Sequence, residues 1–190
     1  MKILLDPGHG GSQPGAVYAG VKEKDVNLAV ALRCGKVLRD LGHDALFTRD
    51  ADETLSLSDR LRMIDQYHAE VFVAIHCNAS STGEQAHGCE TYYRDTHDYP
   101  LANSIQTVLA AYTGMKDRGV LQDEKELKKR LTVLNDLDVP SALVELGYLS
   151  NPSEEKYIID DINTLGEVLA HGIDDYAHKK AGTVKENWPA

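Results

Sequence analysis

Short apolar runs alternate with amphipathic helical segments along this chain. Residues 3–5 and 71–75 are continuous apolar runs that end in turn-forming or polar residues, which is typical of buried strands. Between them, apolar residues recur every three or four positions, which indicates helices that cover a sheet. Strands that alternate with helices in this way form mainly parallel sheets. We therefore expect an α/β fold with a twisted, mainly parallel sheet of about six strands and helices on both faces.

The remaining elements follow from the same patterns. Further strands are predicted at residues 45–47, 90–93, 131–134 and 142–144, with 90–93 less buried than the others. Helices are predicted after Asp25, after Ser56, over 100–112 with Tyr112 facing inward, after Asn151, and over 162–176. The charged stretch 115–130 is expected to be a solvated loop or helix face. Residues 1–180 are thus predicted to form one domain, and residues 181–190 a C-terminal tail.

Charge and hydropathy exclude two classes of partner. The 190 residues carry a formal net charge of -10, which has the wrong sign for binding a phosphate backbone, so we expect no nucleic-acid partner. No window approaches the roughly 20 apolar residues of a membrane span, and the short apolar run at the start does not resemble a signal peptide. We expect a monomer that is synthesised in the cytoplasm without a signal peptide and is not inserted into a membrane.

The three cysteines do not indicate a disulfide framework or a cysteine zinc cage. Cys34, Cys77 and Cys89 are odd in number and lack CxxC spacing. Cys77 follows His76 directly and could be read as a nucleophile paired with that imidazole. Neighbouring side chains on a strand point to opposite faces, however, which disfavours this reading.

Four ionisable residues lie at the ends of predicted elements. His9, His76 and Glu145 each follow a predicted strand, and Glu23 precedes the first long helix, so all four are expected at one edge of the sheet. Two imidazoles and a carboxylate match a catalytic zinc site, with the remaining glutamate free to act as a base. Spacing alone leaves His9 open as an ordinary loop histidine and Glu23 as a surface acid. Glu145 stands inside an apolar run, where a charged group needs a partner or a function.

Four ordered motifs resemble one enzyme family, the zinc-dependent N-acetylmuramoyl-L-alanine amidases often called amidase 3. The opening motif is LDPGHGG at residues 5–11, and the second is EKDVNL at 23–28. The third is AIHCNA at 74–79, and the last is VELGYLSN at 144–151. The resemblance extends over roughly residues 2–178.

This resemblance implies zinc ligands at His9, Glu23 and His76, with Glu145 as the catalytic acid/base. It also implies the substrate, which is peptidoglycan, and the bond cleaved, which is the amide between N-acetylmuramic acid and the L-alanine of the stem peptide. In the implied reaction a zinc-activated water attacks the amide carbonyl while Glu145 transfers the proton. Asp6 is either a partner for the second His9 nitrogen or a turn-forming residue before Pro7.

Alternative functions and settings remain open at this point. A zinc hydrolase acting on a different amide, such as a deacetylase or peptidase, would use the same ligands. A binding module that has lost catalysis would not need all four site residues. The absence of a recognisable signal peptide fits a phage endolysin, or an autolysin released when a sporulating mother cell lyses, that acts on the cell wall after release.

Overall fold

A six-stranded sheet organises the protein, whose computed structural model describes residues 1–80, 85–135 and 137–183. The strands of the sheet lie in the order β4-β1-β5-β8-β6-β7. A two-stranded hairpin of β2 and β3 lies apart from this sheet. The strand bounds are β1 (Lys2–Pro7), β2 (Val17–Tyr18), β3 (Val21–Lys22), β4 (Asp44–Phe47), β5 (Val71–Asn78), β6 (Cys89–Tyr93), β7 (Asp117–Gln122) and β8 (Ser141–Tyr148).

The sheet is mainly parallel, as predicted. Neighbouring strands run parallel except for β6, which is antiparallel to β8. The helices that cover the sheet are α1 (Glu23–Asp40), α2 (Leu57–Tyr67), α3 (Tyr99–Thr113), α4 (Asp123–Leu127), α5 (Pro152–Asp160) and α6 (Ile162–Lys180). Among the described residues, none of these helices combines the length and apolarity needed to cross a bilayer.

Two apolar cores form because successive side chains of a strand face opposite sides of the sheet. On one side Val71, Val73 and Ile75 pack with residues of α1, α3 and α6. On the other side Phe72 and Ala74 pack with α2 and with a 3-10 turn, Thr132–Leu134. Helices therefore cover both faces, which confirms the predicted fold class.

Several predicted boundaries were wrong. Strand β5 continues to Asn78 and β8 to Tyr148, so His76 and Glu145 lie within strands and not after them. Helix α1 begins at Glu23 with Lys22 as its cap, three residues before the predicted cap at Asp25. In both cases polar residues of the candidate site interrupt the apolar pattern from which the ends of the strands and the helix were predicted.

Residues beyond the sheet centre were also misassigned in part. Residues 131–134 form the 3-10 turn instead of a strand, because a short apolar run does not distinguish the two. The stretch 115–130, expected to be a solvated loop or helix face, contains the edge strand β7 and the short α4. Strand β6 is buried because it lies between β7 and β8, and Tyr112 is exposed. Of the predicted tail, residues 184–190 lie outside the described residues.

The contact between α3 and α6 yields a stability prediction. A Cβ atom on Gly172 would lie 2.8 Å from the Cα of Ile105, so the backbones pack too closely for a side chain. Gly172→Ala should lower the free energy of unfolding by about 1–3 kcal/mol from overpacking, outweighing a helix-propensity gain of about 1 kcal/mol. Chemical denaturation measures the change, with Asn163→Ala on the exposed face of α6 as the control, expected within about 0.5 kcal/mol of the parent. A stabilised Gly172→Ala variant would contradict the close packing.

Candidate metal site

The loop after β1 holds His9 in a backbone conformation that few residues adopt. His9 has φ 61°, in the left-handed region that residues other than glycine rarely occupy. Buried arginines hold the backbone around it. Arg49 donates to the carbonyl oxygens of Pro7 (2.9 Å) and Gly8 (3.0 Å), and Arg60 donates to that of His9 (2.5 Å). These bonds stabilise a strained turn that projects the His9 imidazole from the sheet edge.

Asp6 supports this loop through Arg60 and Thr48. Its Oδ1 accepts hydrogen bonds from Arg60 Nη1 and from the Thr48 hydroxyl, both at 2.5 Å. Asp6 and Arg60 are both buried, so the two charges neutralise each other away from water. Among the described residues, the hydrogen bonds of Asp6 run to these partners and not to His9, which does not support the alternative that Asp6 holds the second nitrogen of that imidazole.

Glu23 links the two histidines through its two carboxylate oxygens. Its Oε2 lies 3.1 Å from His9 Nε2, and its Oε1 lies 3.0 Å from His76 Nδ1. The Ala16 amide also donates to Oε2 (2.9 Å), and the Cys77 amide donates to Oε1 (3.2 Å). Burial alone would raise the pKa of Glu23, but the hydrogen bonds with His76 and His9 outweigh it and hold the pKa well below its usual range. The first turn of α1 therefore presents an ionised carboxylate.

His9, Glu23 and His76 form a group that could hold a metal ion. One donor atom from each lies within 4.8 Å of the other two, and the two imidazole rings meet edge to face with centroids 5.1 Å apart. Gly8 makes this approach possible, because a Cβ atom there would lie 2.2 Å from the His76 ring. Two nitrogen donors and one carboxylate oxygen are a ligand set that suits a catalytic Zn²⁺. The donor chemistry of these residues thus fits the ion expected from the sequence.

A second group of three donor residues does not combine these properties. Asp95, His97 and Asp98 also bring ligand atoms within 4.8 Å of one another. Asp98 there accepts hydrogen bonds from the backbone amides of Arg94 (3.2 Å) and Ser141 (2.9 Å), which ties it to the start of α3. The hydrogen bonds of Asp98 thus give this cluster a structural role, and its three residues lie outside the four motifs.

Glu145 lies directly beside His76 in the sheet. The two residues are register partners on the parallel strands β5 and β8, so their side chains project from the same face. Glu145 Oε2 is closed off from water and, among the described residues, has no hydrogen-bond partner. Burial, followed by repulsion from Glu23 and Glu90, raises the pKa of Glu145 well above its usual value. An unsatisfied carboxylate next to a metal-ligand set is an arrangement that favours proton transfer.

Glu90 is a charged neighbour of Glu145 that sequence reasoning missed. It is the register partner of Glu145 on β6 and is almost fully buried. Its carboxylate accepts hydrogen bonds from Arg118 (2.5 Å), Asn78 (2.9 Å) and Tyr92 (3.0 Å). Glu90 is thus a satisfied anion, in contrast to Glu145. Its place in a predicted strand was the only available signal.

The side chain of Cys77 is buried in the apolar core, which disfavours it as a nucleophile. Its side chain packs in the apolar core on the side of α1. The residues that alternate with it along β5, such as Phe72 and Ala74, face α2 on the other side of the sheet. Burial, followed by repulsion from Glu23 and Glu145, raises the pKa of the Cys77 thiol well above its usual value. A buried thiol that stays protonated is a poor nucleophile.

Comparison with known proteins identifies the family. A sequence profile described as N-acetylmuramoyl-L-alanine amidase matches residues 3–175. The chain is 34% identical over 188 residues to an endolysin of Bacillus phage SPP1, covering 95% of this chain and 68% of that protein. It is 35% identical over 156 residues to the N-acetylmuramoyl-L-alanine amidase LytC of Bacillus subtilis, covering 80% of this chain but only 30% of LytC.

A solved structure shows the same relationship. The N-acetylmuramoyl-L-alanine amidase AmiC2 of Nostoc punctiforme superposes with a TM-score of 0.87 at 32% identity, covering 94% of this chain and 97% of that one. The family profile spans all four site residues, and the relatives are similar over most of this chain. This chain therefore belongs to the N-acetylmuramoyl-L-alanine amidase family known as Amidase_3.

Proposed function

We propose that this protein is a zinc-dependent N-acetylmuramoyl-L-alanine amidase that hydrolyses peptidoglycan. The bond cleaved is the amide between N-acetylmuramic acid and the L-alanine of the stem peptide. The observation that carries the proposal is the convergence of His9, Glu23 and His76 beside a Glu145 oxygen that has no partner in the described part of the chain. Family membership and the names of the relatives support the choice of substrate.

His9, Glu23 and His76 would hold the ion in the proposed mechanism. When bound, Zn²⁺ supplies a Lewis acid that polarises an amide carbonyl and makes water more acidic. Glu145 accepts the proton of the attacking water and returns it to the leaving nitrogen. The raised pKa of Glu145 suits the second half of this cycle, in which the carboxyl donates its proton, and the positive charge of a bound ion would lower that pKa for the first half, in which the carboxylate accepts it. The two oxygens of Glu23 hold His9 Nε2 and His76 Nδ1 close together, so the three ligands are gathered before an ion would bind.

The proposed place of action follows from the substrate. Peptidoglycan is the polymer of the cell wall, so the enzyme acts there after release from the cell in which it is made. Similarity to an endolysin and to LytC supports action as an endolysin or an autolysin. Residues 1–180 constitute the catalytic domain in this proposal.

The products of wall digestion test the reaction directly. Incubation of the protein with purified peptidoglycan should release new N-terminal alanine, because hydrolysis of the proposed amide frees the alanine amino group. Labelling of free amino termini followed by mass spectrometry identifies that residue. Release of acetate would instead indicate a deacetylase, and a different new N-terminus would indicate a peptidase.

Replacement of Glu145 separates proton transfer from metal binding. Glu145→Gln should retain the bound ion but lower kcat by about 10²–10⁴-fold, because an amide cannot accept and return the proton. Metal analysis and the rate of alanine release measure the two effects. Glu126→Gln, an exposed residue of α4, is the matched control and should keep the parent rate. Full activity of Glu145→Gln would show that another group is the base.

Metal removal tests the assigned ligand set. Chelation should abolish amide hydrolysis, and one equivalent of Zn²⁺ per chain should restore it, since one group of two imidazoles and a carboxylate would bind the ion. Alkylation of thiols in the native protein should leave the rate unchanged, because Cys34, Cys77 and Cys89 are buried. Indifference to the chelator combined with inactivation by the alkylating reagent would favour Cys77 as the nucleophile.

A further inference from the structure

A fully buried asparagine joins two of the elements that carry the candidate metal ligands. Asn27 lies one helical turn after Glu23 on α1, so the two side chains lie on the same face of the helix. Its Nδ2 donates to Oε1 of Glu23 (3.2 Å) and to the carbonyl oxygen of Gly8 (3.3 Å), the residue before His9. One side-chain amide therefore contacts both the carboxylate of Glu23 and the loop of His9.

The orientation of this amide is determined by the two groups that it faces. A carbonyl oxygen and an ionised carboxylate only accept hydrogen bonds, so the NH2 group of Asn27, and not Oδ1, must point toward them. Each N–H proton of Nδ2 then has one acceptor, and rotation of the side chain would break both bonds at once. The amide thus holds Glu23 Oε1 in a fixed position relative to the backbone of Gly8.

The two acceptors would stay paired without Asn27. Arg49 Nη2 also donates to the carbonyl oxygen of Gly8 (3.0 Å). The amide of Cys77 also donates to Oε1 of Glu23 (3.2 Å). Removal of the Asn27 amide would therefore leave neither oxygen without a donor, and the cost of an unpaired buried acceptor would not arise there. What would be lost is the direct link between the Glu23 carboxylate and the backbone of Gly8.

The other polar atom of this amide carries a cost for folding. Asn27 is 0% exposed, and its Oδ1 has no hydrogen-bond partner among the described residues. A buried polar atom that has lost water without gaining a partner lowers stability. A leucine of similar volume would avoid this cost. A side chain that stability alone does not favour, in contact with a candidate metal ligand, indicates a role in function.

The position of Gly8 determines how closely two of the ligands approach. Gly8 packs against the His76 ring, and its backbone N–H donates to the carbonyl oxygen of Ile75 on β5 (2.9 Å). Asn27 holds the carbonyl group of the same glycine. A shift of Gly8 would therefore move His9, the next residue, relative to His76.

We infer that Asn27 is a positioning residue for the metal ion, because its amide sets Glu23 Oε1 relative to Gly8 and so gathers the ligands before the ion binds. The inference rests on the proposed function, which supplies the ion. Nδ2 of Asn27 carries protons and offers no lone pair to a cation, so Asn27 acts through the ligands and is not one itself. Groups that hold metal ligands in place typically contribute about 10–100-fold to metal affinity.

A pair of amide-to-leucine variants separates positioning from structural support. Asn27→Leu should raise the dissociation constant for Zn²⁺ by about 10–100-fold, measured by competition with a chromophoric chelator. The denaturation midpoint of the metal-free variant should stay at or above that of the parent, because the unpartnered oxygen is removed. Gln106 is the matched control, a buried amide of α3 that bonds Thr91 (2.8 Å) and Asp117 (2.6 Å). Gln106→Leu should lower the midpoint and leave the zinc affinity unchanged.

NMR of the parent protein supplies a second readout that does not require either variant to fold. Addition of Zn²⁺ should shift the side-chain amide signals of Asn27 and leave those of Gln106 in place, because only the Asn27 amide is bonded to a candidate metal ligand. Parent-like zinc affinity of Asn27→Leu, a lowered midpoint of that variant, or an Asn27 signal that ignores zinc would overturn the inference alone. A parent protein that does not bind zinc would overturn the proposed function, and the inference with it.

Discussion

Buried guanidinium groups hold together the part of the molecule on which the metal site depends. Arg49 and Arg60 donate to three successive carbonyl oxygens, those of residues 7–9, at the end of β1 and just beyond it. Arg49 also donates to the carbonyl of Lys24 in α1, so the loop of His9 and the helix of Glu23 share one cation (2.9 Å). An unpaired buried carbonyl is costly, which makes these donors necessary for the turn at His9.

Two glutamates at the same sheet edge show how surroundings assign different chemistry to one side chain. Glu23 receives hydrogen bonds at both oxygens and is held ionised, which suits a ligand for a cation. Glu145 has one oxygen, Oε2, that is closed off from water and has no partner among the described residues, and burial raises the pKa of its carboxyl. Separation of the pKa values of neighbouring carboxylates is a common way to divide roles between a ligand or anion and a proton carrier.

The sequence predicted the central fold well because buried strands and amphipathic helices leave strong periodic signals. It failed where polar site residues break those signals, as at the ends of β5 and β8, and where an edge strand such as β7 is charged. His9, Glu23 and His76 were identified mainly through motif resemblance, since spacing alone left two of them open. Arg49 and Arg60 could not be recognised, because an arginine that binds backbone carbonyls has no required spacing from them in the chain.

The overall charge of the protein makes local contacts decisive for the proposed activity. A net charge of -10 gives no long-range attraction to an anionic wall polymer. The repulsion between the two negative charges is screened beyond about 8 Å at physiological ionic strength, so it does not prevent contact at the sheet edge. Binding energy must then come from short-range interactions close to the candidate metal site. Those contacts would place the scissile amide at the edge where His9, Glu23, His76 and Glu145 meet.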